Sequence, residues 1–285
     1  MAKRKAHEPN GKVPPANSDS GSDEDLDTLD VDFEWFDPSP IDFHGLKSLL
    51  RQLLDADATL FDLSSLADLI LSQPHLGSTV KCDGQDSDPY AFLTVLSLRT
   101  HAANPALQTL TAYLQSRSRT NPSLAPLSTL LSNPDAHVGL ILSEKLINMP
   151  TEIVPPMYTM LLEELIWAAE EKRPVDFTHY VVLSKTYSEV ASELDEPARP
   201  QKKVRQGGGG GEGEVFFFHA EDEVLARHAV CAGGWDFEKV SEGGADARRA
   251  FQESGIKPQG HVTVIEKGRF EGAVKAVGEY LGVKQ

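Results

Sequence analysis

The chain has 285 residues, 40% hydrophobic and 25% charged, which suits a soluble folded protein of one large domain or two small ones. Its net charge of −16 lies in the first two-thirds, with net −6 over residues 1–40, −10 over residues 41–196 and zero over residues 197–285. That balance repels phosphate backbones and argues against direct nucleic-acid binding, no apolar run approaches the roughly 18 residues that span a bilayer, and two cysteines are too few for a disulfide framework.

Residues 1–30 are polar and have almost nothing apolar to bury, the composition of a disordered tail. Lys3, Arg4 and Lys5 form a basic cluster of the kind that nuclear transport receptors read. No apolar stretch follows them, which argues against a secretory signal peptide. Ser20 and Ser22 each have an acid three residues on, the pattern that acidophilic kinases prefer.

From residue 31 to residue 285 the pattern predicts a single α/β domain. Val31, Phe33 and Trp35 alternate with acids, as in a strand with one wet face. Leu46, Leu49, Leu50, Leu53 and Leu54 recur at helical spacing, and a second helix fits Leu63 to Ser72. These leucines read as core faces rather than as an export signal. Ser78 to Cys82 reads as a strand. Tyr90 to Leu98 is almost continuously apolar, as a central strand covered on both faces is. Asn104 to Pro126 predicts a short helix around Leu107, Leu110 and Leu114, followed by a loop. Val138 to Ile147 and Phe177 to Val190 read as strands, with a helix from Pro156 to Lys172 between them.

Residues 197–214 contain Gly207 to Gly211 and read as a flexible linker within the domain. The glycine run follows a basic, proline-containing segment and precedes a strand-like one, so it is not a phosphate-binding loop. Lys202, Lys203 and Arg205 form a second candidate import signal. Beyond it, Val215 to Phe218 and His261 to Ile265 are predicted strands, and Phe270 to Leu281 a closing helix.

No His, Cys, Asp or Glu pattern suggests a metal or a catalytic couple. Glu163 and Glu164 point about 100° apart on a helix and read as a solvated face. The helix from Pro156 carries Met157, Tyr158, Leu161, Leu162, Leu165, Ala168 and Ala169 on an apolar face. Met160 and Trp167 fall on the opposite, acidic side with Glu163, Glu164 and Glu171. A methionine and a tryptophan rimmed by glutamates suit the docking of a basic protein.

Several segments are similar to one known family. They are Val31 to Glu34, Gly45 to Leu53, Leu69 to Lys81, Leu142 to Pro150 with Pro156 to Tyr158, Leu183 to Tyr187, and Phe218 to Glu223. In this order they resemble the BCCIP family, and within it the fungal members. The resemblance implies a nuclear protein that chaperones a ribosomal protein of the large subunit. It also implies roles in nuclear protein export and ribosome formation, and animal relatives add links to recombination and cell-cycle control. The implied fold is a central mixed sheet flanked by helices, like that of GNAT acetyltransferases.

Acetyltransferases of that fold hold the cofactor pyrophosphate on glycine-rich backbone N–H groups between a central strand and the next helix. The corresponding turn here, Asn148 to Pro156, has no glycine and three prolines, which donate no N–H. The fold is therefore expected without a cofactor site. The expected function is that of a nuclear escort for a basic client, without catalysis. An acetyl-CoA-dependent acyltransferase and a regulatory hub in DNA repair or cell-cycle control are the alternatives.

Overall fold

The computed structural model describes residues 32–73, 75–189, 215–239 and 256–282. The chain divides into two units, Met1–Asp32 and Phe33–Gln285, and the elements below belong to the second. Lys3, Arg4, Lys5, Ser20, Ser22, Lys202, Lys203, Arg205 and the glycine run lie outside the described residues.

The chain begins with strand β1 (Glu34–Phe36), helices α1 (Phe43–Leu54) and α2 (Leu63–Leu71), and strands β2 (Gly77–Lys81) and β3 (Ala91–Ser97). Helices α3 (Pro105–Thr120) and α4 (Ala125–Ser132) follow, then β4 (Val138–Lys145), α5 (Val154–Glu170) and β5 (His179–Glu189). After residue 214 come β6 (Val215–Phe217), α6 (Ala220–Ala226), β7 (Cys231–Asp236), β8 (Ile256–Glu266) and α7 (Lys267–Tyr280).

Local chemistry sets several of these boundaries. Asp62 caps α2 by accepting from Ser64 N at 3.1 Å and Ser65 N at 3.0 Å. Asn104 caps α3 in the same way, accepting from Ala106 N at 3.0 Å and Leu107 N at 3.2 Å, with Pro105 in the first turn. The short helix expected here is thus a 16-residue one. The loop expected after it is a 3-10 turn, Pro122–Leu124, running into α4. Asn121 starts that turn by accepting from Ser123 N at 2.9 Å.

The strands form one sheet in the order β1-β2-β3-β4-β5-β8-β7, with β6 also paired to β5. Pairing is antiparallel except between β4 and β5, which run parallel from Val138 opposite His179 to Leu142 opposite Leu183. Beyond Leu142 and Leu183 the two strands part, and β6 takes the vacated side of β5 from Thr186 to Ser188.

Alternating strand residues feed two cores. Leu140, Leu142, Val181 and Leu183 face α1, α2, α3 and α4. Ile141, Tyr180 and Val182 face α5, α6 and α7 on the other side. Every residue of β3 is buried, as its unbroken apolar run predicts. The first strand differs from the expectation. It runs from Glu34 to Phe36, with Val31 outside the described residues, and all three are half-buried: Phe33 and Trp35 pack on the α5 core, so no face is fully wet. No described helix is long and apolar enough to cross a membrane.

Candidate protein-docking site

Helix α5 follows a 3-10 turn, Thr151–Ile153, with Pro155 and Pro156 in its first turn. Met157, Leu161, Leu165 and Ala168 recur every three or four residues and are buried, with Tyr158 beside them. Ala169, in the last turn, is exposed rather than part of that face.

The outer side of α5 carries most of the docking candidates. Glu163 and Glu171 are exposed, Met160 is half-buried, and Trp167 is 41% exposed. Glu171 Oε2 lies 3.2 Å from Arg173 Nε. Ile166, which helical periodicity does not single out, is 59% exposed and adjoins Trp167. Two large apolar side chains thus stand on the outer side of one helix, among Glu163, Glu170 and Glu171.

Glu164 does not belong with them. It is only 6% exposed, and its Oε2 accepts from Gly77 N at 2.7 Å. The expectation of a solvated glutamate pair fails because Glu164 lies three residues from Leu161, four from Ala168 and seven from Met157, within the buried stripe. Burial pushes its carboxyl up to about 7; the Gly77 N–H opposes that, and the Asp37 and Glu163 charges add to it. The glycine is required where it stands: Gly77 has φ of +117°, and a Cβ there would come within 2.3 Å of Leu93 O.

A second polar cluster, absent from the candidates, is built from three of the family-like segments. Glu144 and Lys145 end β4, Lys185 lies in β5, and His219, Glu221 and Asp222 start α6, all of them buried. Glu144 Oε1 meets His219 Nε2 at 2.5 Å, and Glu144 Oε2 lies 3.0 Å from Lys185 Nζ. Lys145 Nζ pairs with Glu221 Oε1. Gln52 of α1 bridges the parted strands, donating from Nε2 to Lys145 O at 2.8 Å and accepting at its backbone O from Lys185 Nζ at 2.7 Å.

Burial alone would raise the Glu144 carboxyl, but Lys185 and the His219 hydrogen bond outweigh it and bring it down to about 2. Burial and the neighbouring Glu221 charge push Asp222 the other way, above the usual range. The signal for this cluster is charged residues inside otherwise apolar strands, where an unpaired charge is costly and a pairing partner must exist. Sequence spacing does not say which residue is the partner.

The turn from Asn148 to Pro156 lies where the sequence places it. Of the first α5 residues, Pro155 and Pro156 have no N–H, and Ile153 O accepts from Trp35 Nε1 at 3.4 Å. Among the described residues no group of three or more His, Cys, Asp or Glu is placed to hold a metal ion.

The family model described as BCCIP matches residues 28–225, more than half of the chain. The chain belongs to the BCCIP family. Protein bcp1 of Emericella nidulans is 59% identical over 278 residues, which cover 96% of this chain and 95% of that protein. Protein bcp1 of Schizosaccharomyces pombe is 47% identical, with 98% and 99% covered. Among solved structures, the crystal structure of BCP1 from Saccharomyces cerevisiae is similar with a TM-score of 0.60 and 28% identity, covering 90% of each chain. Helix α5 and the buried-cluster residues Glu144, Lys145, Lys185, His219, Glu221 and Asp222 all fall within the matched BCCIP region.

Proposed function

We propose that this BCCIP-family chain is a nuclear, non-catalytic escort that shields a basic ribosomal protein of the large subunit and takes part in nuclear protein export and ribosome biogenesis. The observation that carries the reading is the outer side of α5, where Trp167 and Ile166 stand exposed among Glu163, Glu170 and Glu171 on a chain of net charge −16. Apolar anchors supply affinity once water is displaced, and the carboxylates speed capture of a positive partner and set its orientation. Lys3, Arg4, Lys5, Lys202, Lys203 and Arg205 are the proposed contacts for nuclear transport receptors, and Ser20 and Ser22 the proposed phosphorylation sites.

A GNAT-like fold is part of this reading, and the described sheet has one parallel pair, β4 with β5, among otherwise antiparallel strands. Two features weigh against the chemistry of that fold. The turn before α5 has prolines where phosphate-binding amides would be needed, and the parted ends of β4 and β5 are bridged by Gln52, Glu144 and Lys185.

The direct test is Trp167→Ala in the full chain, with capture of purified basic large-subunit ribosomal proteins and thermal unfolding measured together. The reading expects capture to weaken at least about tenfold, the equivalent of about 1.4 kcal/mol, with little change in thermal stability. Unchanged capture, or a large loss of stability with capture intact, overturns it.

A further inference from the structure

The two outer strands of the sheet are finished differently. At β7, Asn121 Nδ2 donates to Gly234 O at 2.9 Å, and a Cβ on Gly233 would meet that amide at 2.9 Å and Leu124 at 3.2 Å. The chain's own α3–α4 connection therefore packs on that strand and bonds to its backbone at Gly234. At the other end, β1 pairs with β2 from Glu34 opposite Lys81 to Phe36 opposite Thr79, and no described strand pairs with its outer side. A strand edge presents backbone N–H and C=O groups that bond to any extended chain laid along it.

The surroundings of this edge are acidic and adjoin α5. Glu34 lies in the strand opposite Lys81, on the face away from α5, and Asp37 follows the strand with its side chain 64% exposed. Trp35 Nε1 reaches Ile153 O at 3.4 Å, immediately before α5, so the strand and the start of the helix touch. Gly77 N donates to Glu164 Oε2 at 2.7 Å, and Thr79, two residues on in β2, stands opposite Phe36, so the end of β1 lies close to the turn of α5 that carries Glu163. The basic groups nearby are largely committed. Lys81 is buried and lies 2.5 Å from Asp42, His75 Nδ1 lies 3.1 Å from Asp37, and Arg173 lies 3.2 Å from Glu171.

We propose that the outer edge of β1 receives an extended lysine- and arginine-rich segment of the client as an added strand, its basic side chains meeting Glu34, Asp37 and Glu163. This rests on the reading of α5 as a docking surface and supplies the mode of recognition beside it. Backbone pairing gives register without demanding a particular sequence, and the carboxylates select positive side chains. A three-residue edge is too short to hold a neutral strand, so charge and pairing act together.

The test uses the full chain and a labelled synthetic peptide of repeating Lys-Lys-Val-Val, which as a strand carries lysines on both faces and so can meet Glu34 on one side of the sheet and Asp37 and Glu163 on the other. A second peptide of the same sequence and charge is N-methylated at alternate residues, so that one of its edges no longer pairs. Fluorescence anisotropy is expected to show at least about tenfold weaker binding of the methylated peptide, and a similar loss for Glu34→Lys with the unmodified one. Hydrogen exchange at residues 33–37 is expected to slow when the unmodified peptide binds. Equal affinity for both peptides overturns strand addition while leaving the Trp167 surface intact. Loss of peptide binding in Trp167→Ala but not in Glu34→Lys assigns the peptide to α5 alone and also overturns it. Amides of β1 that exchange slowly in the free chain and ignore the peptide show an edge already occupied by the chain itself or by a second copy, which likewise overturns strand addition.

Discussion

His219 Nε2 meets Glu144 Oε1 at 2.5 Å across 75 residues of sequence, with both side chains buried. The contact ties the turn before α6 to the end of β4, and Lys185 completes it from β5 at 3.0 Å. Desolvation offsets part of the attraction between such buried charges. Removing one partner is a different matter, since the others are then left buried and uncompensated.

Glu144→Gln is therefore expected to lose about 3–5 kcal/mol of unfolding free energy near neutral pH, measured by urea denaturation. The wild-type chain should also show this carboxyl in its acid response. The folded value of about 2 lies below the ordinary 4.5, so its contribution is full above about pH 4.5 and disappears as the pH falls toward 2. The shift corresponds to roughly 3 kcal/mol. A midpoint in Glu144→Gln equal to that of wild type would contradict this account of the cluster.

Glu164 gives the opposite sign. Its folded value of about 7 lies above the ordinary 4.5, so the folded chain holds the proton more tightly. Its contribution is full below about pH 4.5 and is lost as the pH rises to about 7. Glu164→Gln keeps an acceptor for Gly77 N and removes the titration. The variant is expected to be the more stable form above pH 7, by at most about 3 kcal/mol, with the advantage vanishing in acid. Urea midpoints measured across that range decide it, and a destabilised variant at pH 8 would show that the charge itself is needed.

Tyr113 links three elements through one hydroxyl. It donates to Asp57 Oδ2 at 2.7 Å and accepts from Trp235 Nε1 at 2.7 Å. Tyr113→Phe strands the indole N–H and leaves the Oδ2 of the fully buried Asp57 with Arg117 at 3.9 Å, and is expected to cost about 1–3 kcal/mol in chemical denaturation. Client capture should be unaffected, because Tyr113 lies in the α1–α4 layer and α5 in the other.

Acetyl-CoA is expected to give no binding heat in calorimetric titration of the full chain. Pro155 and Pro156 remove amides from the start of α5, and side chains bridge the parted strands. Micromolar binding would revive the acyltransferase alternative.

Much of the fold is legible in the sequence because its cores are built from regular leucine and valine patterns. The α1 leucines and the β3 run are unambiguous, since spacing alone assigns them to one face or to both. Helix α4 is obscured by the prolines and polar residues that surround it, although they are its punctuation: Asn121 starts the turn and Pro122 and Pro126 occupy first-turn positions. Strand β7 is hidden by Gly233 and Gly234, which weaken the strand signal but let Leu124 and Asn121 approach closely. At the site, periodicity separates Trp167 from the core but misplaces Glu164, because the stripe it joins is otherwise apolar. The partners of Glu144 lie 41 to 75 residues away, and pairing across that distance is set by the sheet.

Electrostatic capture of a basic protein is the central claim. It is tested most directly by measuring the affinity of the full chain for purified basic large-subunit ribosomal proteins across a salt series. Binding is expected to be tight at low ionic strength and to weaken steadily as salt screens the carboxylates. Affinity that ignores salt, or no affinity at low ionic strength, would contradict it.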